Sequence, residues 1–227
     1  MQFNVVSDKR MKVLRLIDRF GVIGVTQLET YSGMAIMTIY RARKQLEELN
    51  FIENKSFGRQ KVCVITKEGS DYVGSLKFGG PSGFSSLQHD LTVAEILFIM
   101  KKRYLEQGKD LDFKTERELT REYTLTLANQ NQPMRWDYMA KNVPDFSLFN
   151  EERRVAYEVE LSSKTNARII RKMKQYQELI NSGHYTHVIY LCKDQTILKS
   201  IQQSADGVGV KNLRASLIDQ VLPSNEE

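Results

Sequence analysis

Apolar residues recur at helical spacing over residues 11–20, where Val13, Leu14, Ile17 and Phe20 share one face and Gly21 stops the run. Thr26 is placed to cap a short second helix reaching Thr30, and Ser32-Gly33 turns the chain. Residues 34–49 form a third helical pattern, with Ile39, Ala42, Leu46 and Leu49 at spacings of three and four. Two short β-type runs, 51–57 and 61–66, flank Gly58-Arg59-Gln60, and a final helix follows. A Gly/Ser/Pro cluster at 78–86 then interrupts all periodicity and reads as a linker between domains 1–77 and 87–227. Beyond it, residues 91–104 are a strongly apolar helix with Asp90 at its start, and 111–118 are a first strand. Residues 143–149 and 153–162 are two strands across a tight turn, 165–180 an amphipathic helix, and 186–192 an apolar strand suited to a central sheet. The pattern predicts a mixed fold, part α+β and part α/β.

The chemistry concentrates where two of those strands meet. Residues 155–161 read Val-Ala-Tyr-Glu-Val-Glu-Leu, and strand side chains alternate between faces. Glu158, Glu160, Ser162 and Lys164 therefore project from one side, and Tyr157, Val159 and Leu161 from the other. Paired carboxylates among apolar neighbours are costly unless a cation holds them. Asp145, after Pro144, adds a third acid one strand earlier. Such hard oxygen ligands suit Mg2+ or Mn2+. The competing reading is an edge strand whose glutamates face water. Auxiliary candidates are His89, Glu95 and Glu116, against ordinary roles as a cap-adjacent histidine and surface acids.

Charge adds a partner. The 227 residues carry a net charge of +5 with a pI near 9.1, and the 33 Lys and Arg are spread along the chain, which favours a polyanion. Arg168, Arg171, Lys172 and Lys174 cluster on the helix that follows the acidic strand, where phosphates would sit. On the third helix, Met37, Arg41 and Lys44 fall opposite the buried stripe, flanked by Thr38 and Tyr40. Arginine there suits guanine edges and lysine suits phosphate. Lys55, Arg59 and Lys61 at the hairpin suit backbone contacts. Cys63 and Cys192 are flanked by β-type apolar residues and read as buried thiols, which fits a reducing cytoplasm. The three histidines form no cluster for a three-histidine metal site. No apolar run reaches membrane-span length and no signal-peptide core opens the chain, so the expectation is a soluble cytoplasmic protein with no membrane partner.

Three resemblances follow from these residues. The order of the first segment resembles a winged helix-turn-helix domain, which implies either DNA contact or dimerisation. Pro144-Asp145 with Glu158-Val159-Glu160 resembles the PD-(D/E)xK nuclease superfamily and implies a restriction-endonuclease-like mixed sheet flanked by helices. In that pattern Glu160 takes the lysine position if Glu158 opens the motif; if Glu160 opens it, Ser162 takes that position and Lys164 reaches in. An acid from the first helix of such folds often joins the metal, hence the interest of Glu95. His89-Asp90-Leu91-Thr92-Val93, Thr115-Glu116-Arg117, Val143-Pro144-Asp145 and residues 158–164 together are similar to the replication-relaxation group, which includes MOBC-type conjugative relaxases.

That likeness implies a DNA-binding, metal-dependent endonuclease that nicks a plasmid transfer or replication origin. Asp145, Glu158 and Glu160 would hold one or two Mg2+ or Mn2+ ions, and Lys164 would stabilise the developing charge. Mobilisation or replication proteins, or a second copy in a homodimer, are the further partners it suggests. Tyr157 points away from Glu158, which leaves Tyr176 as the tyrosine considered for a covalent step. Two alternatives stay open: an inactive DNA-binding transcription or replication regulator, and a restriction or defence nuclease.

Overall fold

A computed structural model of the chain describes residues 6–75, 79–81, 83–129, 143–150 and 153–221. The described residues form a mixed α+β structure with two sheets. The chain divides into two compact units, Met1–Glu95 and Ile96–Glu227.

In the first unit, α1 (Asp8–Phe20), α2 (Val25–Ser32) and α3 (Ile36–Glu48) pack on one another. Val13, Leu14, Ile17, Ile39 and Leu46 are fully buried, as the helical spacing predicts, and Leu28 of α2 joins them. Leu49, expected in that stripe, is only half-buried, because α3 ends at Glu48. Gly33 adopts φ +66 between α2 and α3, a left-handed conformation that glycine takes without steric cost. Gly24, not Thr26, precedes the first turn of α2, and the Gln27 side chain accepts its N–H at 2.9 Å.

Strand β1 (Val22–Gly24) joins the hairpin of β2 (Ile52–Phe57) and β3 (Gln60–Ile65) in an antiparallel sheet of order β1-β3-β2. The hairpin is tied to α3 by Arg43, a buried residue that sequence reasoning passed over. Its Nε and Nη2 both donate to Asn54 Oδ1, at 3.0 and 2.6 Å. Helix α4 (Lys67–Val73) follows, capped by Thr66, whose hydroxyl accepts from Gly69 N–H at 3.0 Å. Residues 84–86 are not linker. They begin α5 (Phe84–Glu106), where Ser86 Oγ accepts the Gly83 N–H at 3.1 Å and donates to the Gly83 carbonyl at 2.9 Å. Asp90 is consequently interior to α5 rather than its cap, and it lies 3.2 Å from His89. Residues 78 and 82 of the expected linker lie outside the described residues.

The second unit is built on a five-stranded sheet of order β4-β5-β6-β7-β8. β4 (Asp112–Thr115), β5 (Phe146–Phe149) and β6 (Arg154–Glu160) form an antiparallel meander. α7 (Asn166–Asn181) then crosses to β7 (His187–Cys192), and α8 (Gln195–Val208) crosses to β8 (Leu213–Leu217), both strands running parallel to β6. Ile169, Met173 and Tyr176 from α7 and Ile197, Ile201 and Ala205 from α8 form one core with Ala156, Val188, Tyr190 and Cys192 from the sheet. The strand expected over 111–118 stops at Thr115, and α6 (Glu116–Asn129) begins there. The cause is a capping box: Glu118 Oε2 accepts the Thr115 N–H at 3.0 Å, and Thr115 Oγ1 accepts the Glu118 N–H at 3.4 Å.

Gly69 supplies a test of this packing. A Cβ at that position would lie 2.1 Å from the Phe51 carbonyl oxygen, which already accepts the Thr66 N–H at 3.1 Å. In an open helix, Gly→Ala stabilises by about 0.5–1 kcal/mol. Here the overlap reverses the sign, and Gly69→Ala should lose about 1–3 kcal/mol in urea unfolding. A raised unfolding midpoint would show that α4 does not seat on Phe51.

Candidate metal centre

β6 is the middle strand of its sheet, so Glu158 and Glu160 do not sit on an edge facing water. Glu158 is 7% exposed, on the face covered by α7. Its Oε1 accepts a hydrogen bond from the Tyr176 hydroxyl and pairs with Lys172 Nζ at 2.9 Å. Tyr176 and Lys172 lie one turn apart on α7, and the ammonium also sits 5.4 Å above the Tyr176 ring.

Asp145 is fixed from two sides. Its Oδ2 accepts the Val159 N–H at 2.6 Å, between the two glutamates in sequence, and its carbonyl accepts the Glu116 N–H at 2.9 Å. Glu160 closes β6 and pairs with Lys164 at 3.6 Å. The strand ends at Glu160, so Lys164 reaches that carboxylate across the connection to α7 rather than along an extended strand. The Lys193 N–H donates to the Glu160 carbonyl at 2.9 Å, which brings the end of β7 alongside.

Electrostatics tie the three acids together. Burial pushes the Glu158 carboxyl up to about 7, against the stabilising charge of Lys172, and the charge of Asp145 adds to the rise. Glu160 is raised in the same way by burial, opposed by Lys164 and again assisted by Asp145. Lys164, Arg168 and Lys172 stand four residues apart. The first two lower the Glu160 pKa and the third lowers that of Glu158, so a cationic row tracks the acidic strand.

Three carboxylates make a ligand set of the type that a hard divalent cation takes. It is not a finished cage. Among the described residues, no group of three or more His, Cys, Asp or Glu side chains is arranged to hold a metal ion. Lys172 and Tyr176 occupy Glu158 Oε1, and the Val159 amide occupies Asp145 Oδ2.

The other expected residues divide. Glu116 opens α6 beside Asp145, and its backbone makes the contact. His89 and Glu95 are accounted for inside the first unit, His89 by Asp90 and Glu95 by the Gln27 amide, which donates to it at 2.5 Å. Tyr176 is wholly buried against Glu158, which removes it as an accessible nucleophile. Tyr157 stacks on Phe146 at 4.6 Å, on the other face from Glu158. Lys172 was expected at the phosphates and instead pairs with a buried acid, whereas Arg168, Arg171 and Lys174 are exposed. On α3, Met37 and Tyr40 are 60% and 40% exposed, Arg41 and Lys44 are exposed, and Thr38 is half-buried. Arg59 and Lys61 are exposed on the hairpin, and Lys55 pairs with Glu53 at 2.6 Å. Cys63 and Cys192 are buried free thiols, and no helix among the described residues is long and apolar enough to cross a membrane.

Comparison with known proteins adds little. No family model matches the chain, and no curated protein matches it. A solved structure titled as the crystal structure of RV1404 from Mycobacterium tuberculosis is similar at 16% identity and a TM-score of 0.30. The likeness covers 58% of this chain and 78% of that one, and at such a score it carries no argument.

The buried acid makes stability depend on pH. A carboxyl raised from 4.5 to about 7 binds its proton more tightly in the folded state. Its contribution is therefore full below the unfolded value and is lost as pH rises through the folded one. With chelator present, the wild type should lose stability between pH 5 and 8 relative to Glu158→Gln, as read by urea unfolding. A constant difference between the two proteins across that window would contradict a titrating, buried Glu158.

Proposed function

We propose that the chain is a DNA-binding, divalent-metal-dependent endonuclease that cleaves phosphodiesters at Asp145, Glu158 and Glu160. The observation that carries this reading is the electrostatic coupling of Asp145, just before β5, to Glu158 and Glu160 on β6, both raised in pKa chiefly by burial, with lysines against them. A sheet interior retains such charge crowding at a cost that a bound cation would relieve. The strand expected over 143–149 begins only at Phe146, so Asp145 lies just before β5 with the glutamates on the neighbouring β6; a mixed sheet of this kind is consistent with the PD-(D/E)xK resemblance.

When bound, Mg2+ or Mn2+ supplies polarisation of the scissile phosphate and a water of lowered pKa. Asp145, Glu158 and Glu160 would hold it. Lys164 and Lys172 offset carboxylate charge, and Lys164 would stabilise the charge that develops on the phosphate. Arg168, Arg171 and Lys174 on the exposed side of α7 would follow the backbone.

The first unit is read as a winged helix-turn-helix. Support comes from three helices followed by an antiparallel hairpin, with α3 showing Met37, Tyr40, Arg41 and Lys44 to solvent while Arg43 braces it on the hairpin. Nicking at a plasmid transfer or replication origin is the narrower form of this function. It rests on the sequence likeness to the replication-relaxation group.

One observation favours a second reading, an inactive DNA-binding regulator: Lys172 and Tyr176 already satisfy Glu158, and no cage is preformed. A supercoiled-plasmid assay separates the two. The wild type should nick or relax plasmid with Mn2+, and Asp145→Ala and Glu160→Ala should abolish this while duplex binding stays nearly intact. Intact duplex binding without any metal-dependent cleavage, on origin-bearing plasmid included, would favour the regulator.

The two units should also differ in how they bind. Arg41→Ala should cost about 1–3 kcal/mol on a preferred duplex and relax discrimination there. Arg171→Ala with Lys174→Ala should weaken all sequences alike and lower the salt slope by about two. Unchanged duplex preference in Arg41→Ala would take sequence reading away from α3.

A further inference from the structure

Arg43 lies between the exposed Arg41 and Lys44 in sequence, yet it is itself only 5% exposed. Its guanidinium turns back onto the hairpin, where Nε and Nη2 donate to Asn54 Oδ1 at 3.0 and 2.6 Å. Glu47, one turn further along α3, accepts the Asn54 N–H through Oε1 at 3.1 Å. One residue of β2 is thus held by two of α3, through its side chain and through its backbone. The Arg43 guanidinium carbon also stands 5.5 Å over the ring of Tyr40.

The contact falls where the hairpin leaves its sheet. β1 pairs with β3 only over Val62–Val64, so Asn54, opposite Cys63, lies in the three-stranded part, and residues 56–61 continue as two strands. A two-stranded ribbon is marginally stable by itself in water. On the other face of the hairpin, Val62 and Val64 pack with Leu87 and Leu91, and Phe57 lies 5.4 Å from Phe84. The hairpin is therefore held on both faces, while Arg59 and Lys61 stay exposed. An apolar pair could fill the place of Arg43 and Asn54 without burying a guanidinium. Hydrogen bonds add direction, which apolar contact lacks.

We infer that Arg43 is a positioning residue for duplex binding, which with Glu47 fixes the hairpin on α3 so that Arg59 and Lys61 meet the same duplex as Arg41 and Lys44. This rests on the DNA reading of the first unit and adds to it a residue that does not itself touch DNA. A hairpin free to swing would have to be immobilised on binding, and that ordering would be lost from the affinity. The clasp places the hairpin before the duplex arrives.

A double-mutant cycle tests the role. Duplex affinity as a function of salt, with thermal midpoints alongside, is measured for the wild type, for Asn54→Ala, for Arg59→Ala with Lys61→Ala, and for all three changes together. In the wild type, removing the two hairpin cations should lower the salt slope by about two. In the Asn54→Ala background the same removal should lower it by less than about one, and Asn54→Ala alone should weaken binding about tenfold. Where Asn54→Ala loses folded protein, Arg43→Met with Asn54→Leu fills the space without the clasp and carries the same comparison. Equal slope losses in both backgrounds overturn the role and leave DNA binding by α3 standing. Hairpin cations whose removal changes nothing in the wild type overturn it likewise. An affinity loss that only follows loss of folded protein assigns the clasp to stability and overturns it. A wild type that binds no duplex overturns the role together with the DNA reading.

Discussion

Glu158 is a carboxylate enclosed between the middle strand of a sheet and a helix, and the second unit is arranged around keeping it there. Removing such a group from water costs several kcal/mol even after local relaxation. The cost is offset by Lys172 and Tyr176, which can reach Glu158 only because both stand on the inner side of α7, next to Met173 in the apolar stripe. Once α7 is fixed by these contacts, Lys164 and Arg168 fall in the same row beside Glu160, and the remaining cations face outward. The polar contact and the apolar stripe thus fix the same orientation of one helix.

This arrangement is balanced rather than comfortable. The two glutamates carry raised pKa values because burial and Asp145 outweigh the nearby lysines. Replacing a buried ion pair with apolar residues of similar volume is often neutral or stabilising, so an acid, a lysine and a tyrosine at this depth are weak evidence for stability. A role that needs the charge explains them better. That is the physical ground for reading the acids as a candidate site.

Much of the fold was legible where periodicity was strong. The stripes of α1 and α3, the hairpin and α7 follow directly from apolar spacing, and the Glu158-Val159-Glu160 run was visible on its strand, although Asp145 falls just before β5 rather than within it. Two misses had local signals that were overlooked. Thr115-Glu116-Arg117-Glu118 is a capping-box sequence that ends β4 and starts α6, although 111–118 read as one strand. Ser86 similarly caps the first turn of α5 by bonding back to Gly83, within a stretch whose glycines suggested a linker.

Other misses had no local signal. Lys172 counted as one of four cations on a basic helix, and only the crossover that lays α7 over β6 turns it inward to Glu158. Arg43 was passed over, because its relation to Asn54 exists only once the hairpin packs on α3. Partners set by long-range pairing are not encoded in the spacing of either segment.

Crystals soaked in Mn2+ and measured at the manganese absorption edge test the central claim most directly. The acids read as a metal site predict an anomalous peak within bonding distance of carboxylate oxygens of Asp145 and Glu160, with the Glu158–Lys172 pair, 2.9 Å apart without metal, opened. A map with no peak, and with Lys172 and Tyr176 still on Glu158, would contradict it and leave a buried ion pair that serves the fold alone.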